Sequence, residues 1–486
     1  MTFAKLIAEL VTAPRAEHNL LTDGQFTCTY PELPALLEAI DGYFDARGIG
    51  PGDDLAFECV NSLPGALILL VLLQKGYRFL LLPPSDDREK AREWKPIARF
   101  CRYRVIVGRA RAEETNDWMQ APRNFLKVEE NLHFDRMPDE GVGEGKLYLR
   151  TSGSMGASKI AVHGYRRLLY NALNCAERFR LTGDDRVAIP VPIFHLYGLG
   201  AGFLPALAVG ACIDLQDHGN ILRYLERERC FQPTVAFLTP SFCEMLLRTG
   251  WSARPYKRVV TSTQRIREDT FRAFDARFGG LVNLYGSTEM GAIAACEPEQ
   301  PVDVRATTIG TAMAGVELRI GETRTASDKA PDSAELHCRH PHGFAGYIDE
   351  TGQWLRRMAP GEWYSTGDLA KADRSGQLVI IGRVDNSVNR DGHLVSFTDI
   401  EQALERLDPI EQAVVVAIQA EEKRGQRLAV FCALKSPAAL SSAQIRAACF
   451  EFLPRYAVPD QVIVVQALPT LASGKVDRQA LAAMTG

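Results

Sequence analysis

The order of segments along the chain predicts an α/β protein: a large N-terminal domain of layered, mostly parallel sheets with helices, followed by a small, mobile α+β domain. Helical and strand patterns alternate from the N-terminus to about residue 380, as parallel sheets require. The rhythm then changes after an apolar strand pattern at Gln377 to Ile381. A length of 486 residues also exceeds the usual size of one domain.

Taken in order, Met1 to Pro14 reads as a short amphipathic helix; Lys5 and Glu9 interrupt its apolar residues, so it is not a signal peptide. A helix at Leu36 to Tyr43 precedes a strand at Asp54 to Cys59. The most apolar run, Ala66 to Leu73, is broken by Gln74, Lys75 and Arg78. It falls short of the roughly 18 apolar residues of a membrane span and reads as a core helix leading into a strand at Phe79 to Leu82. A helix at Tyr165 to Phe179 and a strand at Arg186 to Val191 continue the alternation.

Beyond residue 381, Thr398-Asp-Ile-Glu401 reads as a capping box, with Ile400, Leu404 and Leu407 on one helical face. Strands at Ala413 to Ile418 and Ala429 to Leu434, a helix at Ser442 to Phe452 and a strand at Gln461 to Val465 complete a unit of about 100 residues. The expected division is a large domain at 1–382, a hinge at 383–385 centred on Asp385, and a small domain at 386–486.

A net charge of -4 and the lack of a basic run argue against nucleic acid as the main partner. The 11 cysteines are scattered and contain no Cys-x-x-Cys pair, which fits reduced thiols in a cytoplasmic protein and neither a disulfide frame nor a zinc site.

Several short strings carry chemistry. In Thr151-Ser-Gly-Ser-Met-Gly-Ala-Ser-Lys159 the glycines let backbone N–H groups approach an anion, the hydroxyls add donors and the lysine adds charge. The loop follows the apolar stretch Lys146 to Leu149 and is expected to lead into a helix, where phosphates bind well. Ser158 precedes the lysine, so it is not a Walker A loop. Tyr285-Gly-Ser-Thr-Glu289 follows a strand at Leu281 to Leu284 and offers a carboxylate suited to Mg2+. Asp368, in Tyr364-Ser-Thr-Gly-Asp368, can accept two hydroxyl donors at once, and Gly382-Arg-Val-Asp385 follows it. Lys475 stands in a Gly-flanked turn before a final helical run. Alone, each string is an ordinary turn.

Together and in this order, the five strings resemble the adenylate-forming superfamily of acyl- and aryl-CoA synthetases, peptide-synthetase adenylation domains and luciferases. The resemblance runs from Thr29-Tyr-Pro-Glu-Leu33 to Leu481. It implies ATP contacts from Thr151, Ser152, Gly153, Ser154, Gly156, Lys159, Tyr285, Gly286, Ser287, Thr288, Asp368, Arg383 and Lys475, with Tyr285 against the adenine and Thr288 on the α-phosphate. Glu289 would hold Mg2+, Asp368 and Arg383 would meet the ribose, and Lys475 would offset the charge that develops when a carboxylate attacks the α-phosphate. Withdrawal of Lys475 about Asp385 would let one site run two steps.

His195, in Val191-Pro-Ile-Phe-His-Leu-Tyr-Gly-Leu-Gly200, stands among apolar residues where a histidine is usually packed core. The string is similar to the Phe-His-x-x-Gly segment of the family's acyl pocket, so His195, Gly198, Thr263, Gly286 and Gly291 are the implied pocket residues, with His195 and Thr288 joining Lys475 in catalysis. No Asp lies between Pro190 and Ala211 to grip an ammonium, which favours a fatty or aryl acid over an amino acid. Two departures stand out. The family's Ser-Gly-Gly-Ala-Pro is Thr261-Ser-Thr-Gln-Arg265 here, and Asn386 and Asn389 replace Asp and Lys in the loop that leads to Gly392, the implied thiol-acceptor position.

The implied reaction is ATP- and Mg2+-dependent formation of an acyl-adenylate with release of pyrophosphate, then transfer to CoA or to the phosphopantetheine of a separate carrier protein. The partners are a small carboxylic acid and that thiol, with neither nucleic acid nor membrane. A stand-alone amino-acid adenylation enzyme, an amine-acylating ligase and a non-catalytic nucleotide-binding homologue are the alternatives.

Overall fold

The computed structural model describes residues 1–84, 97–111, 113–135, 144–151, 159–217, 220–249, 255–321, 334–390, 393–418, 427–435, 440–470 and 476–485, without the side chains of 385, 389, 393 and 394. These residues pack as two units, Met1–Glu317 with Arg339–Trp363, and Leu318–Cys338 with Tyr364–Gly486.

In the first unit, the helix Leu63–Lys75 is apolar around its whole circumference, and every residue from Leu63 to Leu73 is buried. Its ends are written into the sequence: the Ser62 hydroxyl accepts from Gly65 N–H, Pro64 fits the first turn, and Gly76 closes the helix at φ 80°. The strands Asp54–Glu58 and Arg78–Leu82 flank it in sequence and pair in parallel. They belong to an eight-stranded sheet whose parallel centre also takes in Tyr103–Val107 and Lys146–Thr151.

A nine-stranded sheet forms the other half of this unit. Its neighbouring strands Leu20–Thr22, Cys212–Leu215, Arg186–Ile189, Val235–Leu238, Arg258–Thr261 and Leu281–Ser287 are parallel, so their carboxyl ends share one edge. The helices Ile221–Phe231, Pro240–Thr249 and Glu268–Phe278 alternate with these strands and bury Tyr224, Phe242, Phe271, Phe274 and Phe278 in one cluster. Val, Ile, Leu and Ala fill the strands because parallel strands are covered on both faces.

The second unit contains most of a four-stranded sheet in which Tyr364–Ala372 pairs antiparallel with Ala334–Arg339 and Leu378–Arg383. Beyond it come a hairpin (Ser387–Arg390, His393–Ser396), the helix Phe397–Glu405, and a sheet of Ile410–Ile418, Arg427–Leu434 and Gln461–Val465. The helices Ser442–Phe452 and Arg478–Ala483 complete this α+β unit, with Leu404, Val415, Val430, Cys432 and Ile445 in its core.

Three local expectations are corrected. The loop after Thr151 leads into the strand Lys159–Gly164, not a helix; Ile160, Ala161 and Val162 pair with both Lys146–Thr151 and Gly346–Ile348, and the helix begins only at Tyr165. A helix N-terminus therefore gives this loop no help with phosphate. The Thr398–Glu401 capping box does not form, because the helix starts at Phe397 with Ser396 as its N-cap residue. Glu401 instead accepts from Val415 N–H at 2.7 Å and pairs with Arg478 at 2.8 Å. The strand expected at Leu281 to Leu284 runs on to Ser287 and turns into the antiparallel strand Gly291–Ala295.

Strand Leu281–Ser287 is anchored at its base by Arg305, whose guanidinium meets Asp275 Oδ1 at 2.7 Å and Oδ2 at 3.0 Å and donates to the Leu281 carbonyl. Both side chains are largely buried. Arg305→Ala leaves the Asp275 carboxylate without this partner and is expected to destabilise the protein by about 3 kcal/mol in urea unfolding. A loss under about 1 kcal/mol would show that Asp275 rehydrates freely.

Candidate functional site in the first unit

In open α/β sheets, ligands bind outside the carboxyl ends of parallel strands, where consecutive connections run in opposite directions. Arg186–Ile189 connects to Cys212–Leu215 on one side, while Val235–Leu238, on its other side, is followed by Arg258–Thr261 and Leu281–Ser287 further out. The switch point therefore lies at the ends of Arg186–Ile189 and Val235–Leu238. The segment that carries His195 leaves from there.

His195 is exposed, not packed in the core, and its ring lies 4.6 Å from that of Phe194. Gly198 begins a buried stretch in which a Cβ would meet the Pro192 carbonyl at 2.1 Å, so only glycine fits. Tyr197 donates its hydroxyl to the carbonyls of Leu238 at 2.9 Å and Val260 at 2.7 Å, which ties the His195 segment to two neighbouring strand ends. Buried Asn171 adds a second tie, donating to Gly200 O at 2.8 Å and accepting from Ala292 N–H at 2.9 Å. The structure thereby links the His195 segment to the turn around Gly291.

Thr263 is exposed and has φ 80°. A β-branched residue is strained there by about 1–2 kcal/mol. The loop thus keeps a backbone conformation suited to glycine although the glycines of the family pattern are missing.

The Tyr285–Glu289 string sits on the adjoining strand end. A Cβ on Gly286 would meet the Gly291 carbonyl at 2.3 Å, so the hairpin needs glycine at this crossing. The Ser287 hydroxyl accepts from Met290 N–H at 3.1 Å and stabilises the turn. Thr288 gives its carbonyl to His163 Nε2 at 2.8 Å. The Tyr347 hydroxyl donates to Glu289 Oε1 at 2.7 Å, and Lys159 Nζ lies 5.5 Å from the centre of the Tyr347 ring. Lys159 and Glu289, read from two distant strings, therefore flank one tyrosine. At the near end of the Thr151 to Lys159 loop, the Thr151 hydroxyl donates to the Lys159 carbonyl at 3.1 Å. Residues 152–158 of that loop, with Ser152, Gly153, Ser154 and Gly156, lie outside the described residues.

In the second unit, Asp368 and Arg383 are cross-strand partners, with Arg383 Nη1 3.2 Å from Asp368 Oδ1. Gly367 has φ 71° beside the same guanidinium. Lys475 and Gly392 lie outside the described residues, as does the side chain of Asp385, whose backbone falls in a single helical turn at Val384–Asn386.

Among the described residues no group of three or more His, Cys, Asp or Glu could enclose a metal. A lone carboxylate fits Mg2+, which commonly takes one or two protein carboxylates and completes its octahedron with phosphates and water. All eleven cysteines are free and all but Cys230 are buried; burial pushes the Cys28 and Cys243 thiols up to about 12. No helix of the described residues is long and apolar enough to cross a membrane.

Tyr347, His163, Asn171 and Tyr197 were not singled out by sequence reasoning. One signal was within reach: Lys159 and His163 are four apart on a strand and so share a face. The other three have no spacing rule.

Burial holds His163 down at about 4 from the ordinary 6.5, and His340, buried beside His342 and Arg167, is held down at about 4 as well. Between pH 4 and 6.5 the unfolded chain binds protons at these positions that the folded chain does not, so stability rises with pH through this window and is lost on acidification. His163 alone accounts for up to about 3 kcal/mol. Urea unfolding at pH 7 and pH 5 is expected to show a smaller loss for His163→Gln than for the parent chain; equal losses would contradict a neutral buried imidazole.

The AMP-binding enzyme family matches residues 11–348, and the AMP-binding enzyme C-terminal domain matches residues 399–475. The chain is 27% identical to the medium-chain fatty-acid–CoA ligase of Escherichia coli, over 93% of this chain and 84% of that one. It is 25% identical to the indoleacetate–CoA ligase of Aromatoleum aromaticum, over 92% and 91%. ATP-bound MatB from Rhodopseudomonas palustris superposes with a TM-score of 0.77 at 20% identity, covering 100% and 99% of the two chains. The o-succinylbenzoate–CoA synthetase of Bacillus subtilis in complex with AMP gives 0.79 at 19% identity, covering 99% and 98%. These structures establish the shared fold, and the sequence match establishes descent: the chain belongs to the AMP-binding enzyme family, within the adenylate-forming superfamily that its five strings resemble.

Proposed function

We propose that this chain activates a fatty or aryl carboxylic acid with ATP and passes the acyl group to CoA. In the first step a carboxylate oxygen bonds to the α-phosphorus while the bond to pyrophosphate breaks. In the second the thiol loses its proton to solvent, its sulfur bonds to the acyl carbon, and AMP leaves with the electrons of the broken acyl–oxygen bond. The observation that carries this reading is the convergence of Lys159, Thr288 and Glu289 around Tyr347 and His163 at the carboxyl edge of a parallel sheet. That edge also presents the exposed His195.

The chain's own residues divide the work. Lys159 attracts the phosphates, Thr288 meets the α-phosphate, and Tyr285 lies against the base. Asp368 and Arg383, already within 3.2 Å of one another, share the ribose. Glu289 would hold Mg2+, which when bound neutralises phosphate charge. Lys475 bridges two anions that would otherwise repel as the carboxylate attacks, and rotation about Asp385 removes it before the thiol arrives. His195, Gly198, Thr263, Gly286 and Gly291 line the acid. With no carboxylate between Pro190 and Ala211, the acid carries no required ammonium group. The relatives named for medium-chain fatty acids and indoleacetate point to the same uncharged tails.

The test is ATP–pyrophosphate exchange over medium-chain fatty, arylacetic, benzoic and α-amino acids. Exchange is expected with a fatty or aryl acid, and Lys475→Ala is expected to lower it by about 100-fold or more with nucleotide binding retained. A preference for free α-amino acids, or a Lys475→Ala variant near the parent rate, would contradict the reading.

A further inference from the structure

The strand Lys159–Gly164 alternates its side chains, so Lys159, Ala161 and His163 face one way. Lys159 is exposed at one end of that face; His163, 4% exposed, is buried at the other. The second hand on the Thr288–Glu289 turn is the segment 344–347. Phe344 N–H donates to the Glu289 carbonyl at 2.7 Å, and the Tyr347 hydroxyl donates to the Glu289 carboxylate.

The two hands are themselves one body. Tyr347 is the cross-strand partner of Ala161, Gly346 of Val162, and Ala345 N–H donates to the Val162 carbonyl at 2.7 Å. Arg167, on the helix that follows the strand, fixes the near end by donating to the carbonyls of Gly343 at 2.7 Å and Phe344 at 2.9 Å. The Thr288 oxygen is a carbonyl and can only accept, so His163 Nε2 must carry the proton. The imidazole is a donor to this carbonyl and, 4% exposed, reaches no exposed surface where it could exchange protons with a substrate.

We propose that His163 and Tyr347 are positioning residues for adenylate formation: they hold the Thr288 carbonyl and the Glu289 carboxylate to the strand that carries Lys159. Phosphate charge and metal-binding carboxylate then keep a fixed spacing. This rests on the function proposed above. Neither residue touches substrate, and each acts through the turn that does.

Tyr347→Phe removes one hydroxyl and no volume from the core. His163→Leu removes the donor, and His163→Gln keeps an amide N–H able to reach the same carbonyl. Calorimetric binding of ATP with and without Mg2+, thermal unfolding of the free protein and pyrophosphate exchange are measured for each. Partners that orient a metal-binding group are worth roughly 10- to 100-fold in affinity or rate. Tyr347→Phe is therefore expected to bind Mg-ATP about ten-fold more weakly and to exchange about ten-fold more slowly, with metal-free ATP binding changed less than about two-fold and the unfolding midpoint kept. His163→Leu should lower the exchange rate at saturating substrates, and His163→Gln should recover most of it.

Parent-like Mg-ATP binding and exchange by Tyr347→Phe, or equal loss by His163→Gln and His163→Leu, overturns the proposal. If the parent chain binds Mg-ATP but exchanges with no acid, the proposed reaction falls while the binding data still decide the clamp. A parent chain that binds no nucleotide overturns both.

Discussion

The shared carboxyl edge of the parallel strands from Leu20–Thr22 across to Leu281–Ser287 is the constraint on which the rest of the first unit depends. Parallel strands must be covered on both faces, so the middles of their sequences are largely apolar and carry little chemistry. Function is left to the segments leaving the strand ends. Because those strands point one way, the segments from residues 190, 262 and 288 emerge together although nearly 100 residues separate the first from the last.

Emerging together is not enough for a reaction that is sensitive to displacements of an ångström, and the structure adds specific ties. Tyr197 fixes the His195 segment to the carbonyls of Leu238 and Val260. Asn171 fixes that segment to the strand after Gly291, and glycines at 200 and 291 make room for its amide. His163, Phe344 and Tyr347 fix Thr288 and Glu289. Most of these ties end on a backbone carbonyl or N–H. They need a donor or acceptor at the right place and little else from the partner's side chain, which is why they leave no paired motif in the sequence.

That distinction explains what could be read beforehand. The middle of the helix Leu63–Lys75 was legible because the apolar run Ala66 to Leu73 is too short for a membrane span and suits a buried helix, while its ends at Ser62 and Gly76 were not read beforehand. The α+β rhythm after residue 381 was legible from period alone. Lys159-Ile-Ala-Val-His163 was less so: a short apolar run fits either a strand or the first turn of a helix, and its pairing with Gly346–Ile348, nearly 200 residues on, decides for the strand. Thr398–Glu401 satisfied the local rule for a capping box, yet Glu401 does better against Arg478 and Val415 N–H, a tertiary choice that spacing cannot reveal. The conformation of Thr263 was hidden for a related reason, since composition gives no sign that the surrounding loop imposes φ 80° on a β-branched residue. The residues proposed to meet nucleotide come from family resemblance, and those that hold them in place come only from the structure.

Amide hydrogen exchange in the presence of a non-hydrolysable acyl-adenylate, a sulfamoyl-adenosine carrying a medium-chain or aryl acyl group, tests the central claim most directly. If the carboxyl edge of the parallel sheet is the site, peptides spanning 190–200, 258–267 and 281–291 gain protection together, and the base of the same strands does not. Protection confined to other surfaces of the first unit, or none at concentrations that saturate binding, would contradict the account.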